Sequence, residues 1–288
     1  MRIAGVQMDI QLGDIAGNIE RMAAHLRETT AAGARLTIFP ECSATGYCFT
    51  TFEECRQFAQ PVPGPVTDAL QAACRAVDGY AVFGMIEADG ERLFNVALLV
   101  GPDGIIDCYR KVHLPYLGLD MHTTPGDRPF AVCEVEGVRI GLNICYDSSF
   151  PEAARCLAIL GADLIVLPTN WPPGAESLAC TGIATRAMEN AVYYAAINRV
   201  GTERGFSFIG RSSICAPDGT QLAFADGTTA QTLYAEIDVT QARRKRLVRV
   251  PGKHEIDRLA DRRPEMYGPL SQPHHLPTPR TDHQAAGH

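Results

Sequence analysis

The sequence has no run of about 18 apolar residues, so no membrane-crossing helix is expected. It has no basic stripe either. The net charge is −7, and the densest basic cluster, Arg243, Arg244, Lys245 and Arg246, reads as a solvated face or subunit-contact segment rather than a phosphate site. A nucleic-acid partner is therefore not expected. Ten cysteines are present, yet no two form a C-x-x-C pair. H-E-x-x-H is absent, and no cysteine–histidine cluster has zinc spacing, so no metal is expected. Cys108, Cys133 and Cys156 lie in apolar surroundings and read as the reduced thiols of a cytoplasmic protein. The start, MRIAGVQMDI, is too short and too polar for a signal peptide. No internal repeat or linker divides the chain.

What the sequence does have is core material. Hydrophobic residues make up 46% and charged residues 20%, which supports a sizeable packed interior. From about Gly268 the composition turns to Pro, His, Gln and Ser. Pro273, Pro277 and Pro279 argue against a regular element there, so we expect a domain over 1–267 and a flexible tail over 268–288. The histidines of that tail (His274, His275, His283 and His288) are expected to be tail residues rather than metal ligands.

Short apolar runs alternate with amphipathic segments. Ile3 to Met8 reads as a first strand, and Asn18 is placed to cap a helix with Ile19, Met22, Ala23 and Leu26 on one face. Leu36 to Phe39 reads as the next strand, Val66 to Val77 as a helix, and Tyr80–Glu87 and Phe94–Val100 as strands. Pro102-Asp103-Gly104 marks a tight turn that returns Ile105–Tyr109 as a hairpin partner. Val138 to Ile144 is a strand, and Pro151 suits the first turn of the helix after it. Leu164–Leu167 is a buried strand, Ala175–Ala191 a long helix, and shorter strands follow up to Ile237. The pattern gives an α/β protein with a mixed sheet.

Three chemically active residues each follow an apolar strand: Glu41, Lys111 and Cys145. In open α/β sheets chemistry gathers outside the carboxyl ends of strands. A thiol near its ordinary pKa of ~8.5 is only a few per cent ionised at neutral pH. A neighbouring carboxylate can take its proton and return it to a leaving amine. A lysine, with the backbone N–H after the cysteine, can hold the developing oxyanion. Each residue alone has a plainer reading: a small buried hydrophobe for Cys145, a strand-end polar residue for Glu41, a solvated loop charge for Lys111.

Together the segments FPECSATGY, YRKVHLP and GLNICYDSSFPEAAR resemble the carbon–nitrogen hydrolase (nitrilase) superfamily. GDIAGNIERM, GADLIVLPTNWP and TRAMENAVYYAAINRVG extend the likeness over roughly residues 1–267. The resemblance implies a four-layer α-β-β-α sandwich with mixed sheets, pairing into homodimers or larger assemblies. It implies Glu41 as general base, Lys111 as oxyanion donor and Cys145 as nucleophile of a thioester cycle, with no metal or organic cofactor. One departure stands out. Many members carry a second glutamate before a Pro-Gly pair; here the loop reads YLGLDMHTTPGD, and Asp120 either fills that role with a shorter reach or is a plain loop residue.

Tyr146 followed by Asp147 resembles the amidase and carbamoylase branches, whereas true nitrilases tend to carry Trp-Glu there. Hydrolysis of a small linear amide or N-carbamoyl compound is therefore expected, with nitrile hydrolysis as the alternative. A degenerate member acting as an interaction protein is the reading from another class. Tyr47, Asp120, Tyr146, Asn170 and Trp171 are the expected substrate-binding residues, although Trp171 equally suits packing at a dimer contact. Arg186 and Glu189 read as a structural ion pair at i,i+3 spacing. His113 as a papain-like partner of the cysteine is disfavoured, because no ordered Asn or Asp partner is visible in the sequence.

Overall fold

The computed structural model describes residues 1–285. β1 (Arg2–Gln7) leads through α1 (Ile15–Ala31) to β2 (Leu36–Ile38). α2 (Phe52–Phe58) and α3 (Pro65–Val77) precede a meander of β3 (Tyr80–Asp89), β4 (Arg92–Gly101) and β5 (Gly104–Arg110). The hairpin β6 (Val132–Val135) and β7 (Val138–Leu142) is followed by α4 (Pro151–Ile159), β8 (Leu164–Pro168), α5 (Ile183–Asn190) and β9 (Tyr193–Ile197). A small ladder of β10 (Thr202–Glu203) and β11 (Phe206–Ser207) comes before β12 (Ser213–Cys215), β13 (Gln221–Phe224) and β14 (Gln231–Glu236). α6 (Val239–Arg243), the ladder β15 (Arg246–Val250) with β16 (His254–Asp257), and α7 (Pro279–Ala285) complete the order.

Two mixed six-stranded sheets result, ordered β14-β1-β2-β3-β4-β5 and β13-β12-β9-β8-β7-β6. Both have the same plan: three parallel strands in the middle, β1–β3 or β7–β9, flanked by antiparallel ones. Strand alternation explains the layering. Ala81, Phe83 and Met85 of β3 share a cluster with Met22 and Leu26 of α1 and Val66 and Leu70 of α3. Val82, Ala97 and Leu99 instead join Ile140, Leu142, Leu164 and Val166 of the second sheet. Ala154 and Leu157 of α4 and Ile183 and Ala187 of α5 pack against that second sheet. The architecture is the α-β-β-α sandwich, and strands buried on both faces account for their nearly unbroken apolar sequences. Gly5 allows the sheets to approach closely, since a Cβ there would lie 2.1 Å from Cδ1 of Ile197.

Several local expectations are corrected. Asp14, not Asn18, caps α1: its Oδ1 accepts from Gly17 N at 3.1 Å. Asn18 is buried inside the helix, where its side chain bonds Gln11 and the Ala44 carbonyl. The expected long helix over 175–191 is a π-turn at Leu178–Gly182 running into the shorter α5. The proline-rich tail does form a helix, α7, because Pro279 sits in its first turn, where a missing amide hydrogen costs nothing. His288 lies outside the described residues. Arg186 and Glu189 pair at 2.9 Å as expected. The basic cluster is partly engaged: Arg243 bonds Asp163 at 2.7 Å, and Lys245 donates to the Ala191 carbonyl at 2.6 Å. Among the described residues no helix is long and apolar enough to cross a membrane.

Candidate active site

The turn after β2 is built by close approach. Phe39 still donates to the Val82 carbonyl at 2.8 Å, then Pro40, Glu41 and Cys42 bend away, with Cys42 in the left-handed region at φ 50°. Gly84 on β3 makes this possible, since a Cβ there would sit 2.3 Å from the Cys42 nitrogen and 3.0 Å from the Glu41 carbonyl carbon. Lys111 is the first residue past β5, and its amide donates to the Asn95 carbonyl of β4 at 2.9 Å. A single 3-10 turn, Gly118–Met121, brings Asp120 to the same point.

There the side chains form one fully enclosed network. Lys111 Nζ lies 2.7 Å from Glu41 Oε1 and 2.5 Å from Asp120 Oδ2, and all three side chains have 0% exposure. Asn95 Nδ2 donates to Glu41 Oε1 at 2.8 Å and to Asp120 Oδ1 at 2.9 Å. The Cys42 thiol donates to Asn95 Oδ1 at 3.5 Å and so fixes which way that amide faces. Tyr47 OH donates to Asp120 Oδ2 at 2.9 Å. Two atoms remain uncommitted. Glu41 Oε2 is buried without a partner among the described residues. Lys111 has three N–H groups, and the two carboxylates take two of them.

Burial, with the Asp120 charge, raises the Glu41 carboxyl above the usual carboxylate range, against the pull of Lys111 and Asn95. Burial also disfavours the Lys111 ammonium, but the Asp120 and Glu41 carboxylates outweigh it and hold that group well above an ordinary lysine. The network thus keeps its one positive charge, and its carboxylate is more basic than a solvated one.

Cys145 comes from the other sheet. β7 ends at Leu142, the Asn143 amide still donates to the Val166 carbonyl at 3.0 Å, and Cys145 then opens a 3-10 turn with φ at 42°. A non-glycine residue in that region is strained, as nucleophiles on sharp strand-to-helix turns are. The capping bond of Ser148 Oγ to the Cys145 carbonyl, 2.6 Å, holds the turn. Burial pushes the thiol up to about 12, and the nearby Glu41 charge adds to this; Lys111, the Thr169 side chain and the Asn170 backbone pull the other way. Cys145 is buried, with 8% of the residue exposed, and lines a cavity of about 470 Å³. Tyr47, Tyr146, Asn170 and Trp171 line this cavity, as do Pro115, Leu117 and Leu178, whereas Asp120, also expected to bind substrate, is not on the lining but enclosed against Lys111. Trp171 is therefore a cavity wall.

Asp147, which served in the sequence only as a branch marker, braces the two halves. Its Oδ2 accepts from Tyr109 OH at 2.8 Å and from Ile144 N at 2.9 Å; its Oδ1 accepts from His113 N at 3.1 Å and bonds His113 Nδ1 at 2.7 Å. Tyr109 and His113 bracket Lys111, while Ile144 precedes Cys145. One buried carboxylate thus ties both strand ends together. It also occupies the His113 ring, which stacks on Phe150 at 3.8 Å. The sequence reading saw no acidic partner for His113, yet Asp147 is one; that partner holds the ring in the brace rather than on the cysteine. Asn95 was missed altogether. Its signal was a lone amide inside the apolar strand RLFNVALLVG, where a buried polar side chain needs partners.

A cysteine on a strained turn beside a buried carboxylate–ammonium network is the equipment of a hydrolytic enzyme. The sequence profile of carbon-nitrogen hydrolases matches residues 2–246. The chain belongs to the carbon-nitrogen hydrolase family. It is 38% identical to a nitrilase of Pyrococcus abyssi, covering 93% of this chain and 99% of that protein. It is 35% identical to an (R)-stereoselective amidase of Pseudomonas sp, covering 91% and 92% respectively. Among solved structures, a mutant amidase from Nesterenkonia sp. AN1, showing Michael addition of acrylamide at its active-site cysteine, superposes with a TM-score of 0.80. Identity there is 26%, covering 94% of this chain and 99% of that one.

Proposed function

We propose that the chain is a thiol amidohydrolase that cleaves the C–N bond of a small linear amide or N-carbamoyl compound and releases ammonia. Glu41 is the general base, Lys111 the oxyanion donor and Cys145 the nucleophile. The observation that carries this is the pair of uncommitted atoms in an otherwise closed network: one Glu41 oxygen and one Lys111 N–H. Because burial keeps Cys145 protonated at rest, attack and proton transfer are concerted. The thiol proton passes to Glu41 Oε2 as sulfur bonds the carbonyl carbon. The third Lys111 N–H and the Tyr146 backbone N–H hold the oxyanion. Collapse breaks the C–N bond, Glu41 returns its proton to nitrogen, and ammonia departs. Water then loses a proton to Glu41 and attacks the thioester; the acid leaves, and the proton returns to sulfur.

Asp120 fills the place of the missing second glutamate, holding Lys111 together with Glu41 while Tyr47 and Asn95 fix it. The name of the Pyrococcus relative favours a second reading, nitrile hydrolysis on the same triad. Ammonia release from short aliphatic amides, N-carbamoyl amines and matching nitriles separates the two. Faster amide turnover is expected; faster nitrile turnover overturns the branch assignment. We also propose a homodimer or larger assembly, for which light scattering should give at least twice 31.2 kDa. A monomeric mass contradicts it.

A further inference from the structure

We infer that this enzyme takes amides whose acyl chain is neutral and apolar, and discriminates against those bearing a carboxylate. The inference rests on the amidohydrolase reading above and narrows its substrate class, setting N-carbamoyl amino acids among the poor substrates. Among the described residues, no side chain lining the cavity over Cys145 carries a charge. Its walls are apolar or aromatic: Leu117, Trp171, Pro172, Pro173 and Leu178. Its unpartnered buried polar atoms, among the described residues, are the two amide atoms of Asn170, 1% exposed, and the indole N–H of Trp171, all neutral, while the Tyr47 hydroxyl is already given to Asp120. An amide offers one donor end and one acceptor end, which match a neutral carboxamide and balance no charge.

The charges beyond the walls work against an anion. Glu41 and Asp120 against Lys111 leave the enclosed network with an excess of negative charge when all three are ionised. Near the cavity mouth Glu176 accepts from Gly174 N at 2.8 Å, which fixes a further carboxylate beside a lining residue. Arg280 of α7 is not among the lining residues, and its guanidinium donates to the backbone carbonyls of Asp120 and Met121. A substrate carboxylate would therefore leave water for an apolar cavity with no cation on its described lining, and the Lys111 ammonium behind it already faces two carboxylates.

The test compares 4-methylpentanamide with succinamate, which have the same heavy-atom shape and differ by an isopropyl end against a carboxylate end. Ammonia release gives kcat/KM for each on the intact enzyme, with propionamide as a third substrate. A preference of about 100-fold for the neutral amide is expected, which corresponds to about 2.7 kcal/mol. A preference below tenfold, or one for succinamate, overturns the inference while leaving the amidohydrolase reading intact. Ammonia from none of the three sinks that reading and the inference with it. Leu178→Arg puts a cation on the wall and should narrow the gap at least about fivefold; a folded variant with an unchanged gap contradicts the inference.

Discussion

The two sheets share one plan but equip their strand ends oppositely. The end of the first sheet is closed: Glu41, Lys111 and Asp120 are fully enclosed, and Asn95, Tyr47 and Cys42 fix them. The end of the second sheet is strained and open: Cys145 sits at φ 42° beneath a cavity, beside Thr169 and Asn170 whose side-chain polar atoms have no partners among the described residues. The difference teaches that electrostatics and bond-making are separated. In the mechanism we propose, one sheet holds fixed charge that need not reorganise, and the other carries the atom that changes its bonds. Asp147 sets the distance between them.

The largest effect should come from the open end. Cys145→Ala is expected to lower turnover on the order of 10⁴-fold or more while leaving the melting temperature nearly unchanged, because the two side chains are close in volume. Steady-state rates and a thermal melt check both halves of this statement. The closed end should behave in the reverse way for stability. Lys111→Met leaves two buried carboxylates without their cation and should cost about 3–5 kcal/mol, read by denaturant unfolding, with activity lost as well. If Lys111→Met proved as stable as the parent, the first sheet's end would not be the rigid element described here.

A smaller loss is expected at the brace. Asp147→Ala opens room for water beside the Tyr109 hydroxyl and the amides of His113 and Ile144, so the total cost should be about 1–3 kcal/mol. Its kinetic mark should be a fall in kcat larger than any rise in KM, since it disturbs the placement of sulfur against ammonium rather than the cavity wall. A change confined to KM would remove Asp147 from this role. The smallest effect concerns pH. As the proposed general base Glu41 works deprotonated, so kcat/KM should fall as pH drops through its pKa, which burial and the Asp120 charge raise. Asp120→Asn removes one raising charge, so the acid limb should move to lower pH. An acid limb that stays put or moves up would mean that Asp120 does not act on Glu41.

Glu41, Lys111 and Cys145 each end an apolar strand, which alone reads as nothing special; it is the resemblance of their three segments to carbon–nitrogen hydrolases that singles them out together. The layers were legible from helices and strands whose apolar residues keep one period. What stayed hidden depended on contacts across strands. Asn95 lies opposite the Lys111 region on the neighbouring strand, a register that no local pattern reveals. Asp120 remained open because a loop's path decides whether its carboxylate reaches a lysine. The cap of α1 was misplaced because Asp14 and Asn18 are both good capping residues, and only the burial of Asn18 against the Ala44 carbonyl separates them. The π-turn before α5 keeps helical hydrophobic spacing closely enough that it read as ordinary helix.

In the proposed mechanism, sulfur from one sheet carries the acyl group while charge from the other supports it. Rapid acid quench during turnover of a short aliphatic amide, followed by peptide mass analysis, tests it directly. The account predicts one acyl group on the peptide containing Cys145, formed in step with the first ammonia and absent in Glu41→Gln. Ammonia released at full rate with no acyl group on that peptide, or with the group on another cysteine, would contradict it.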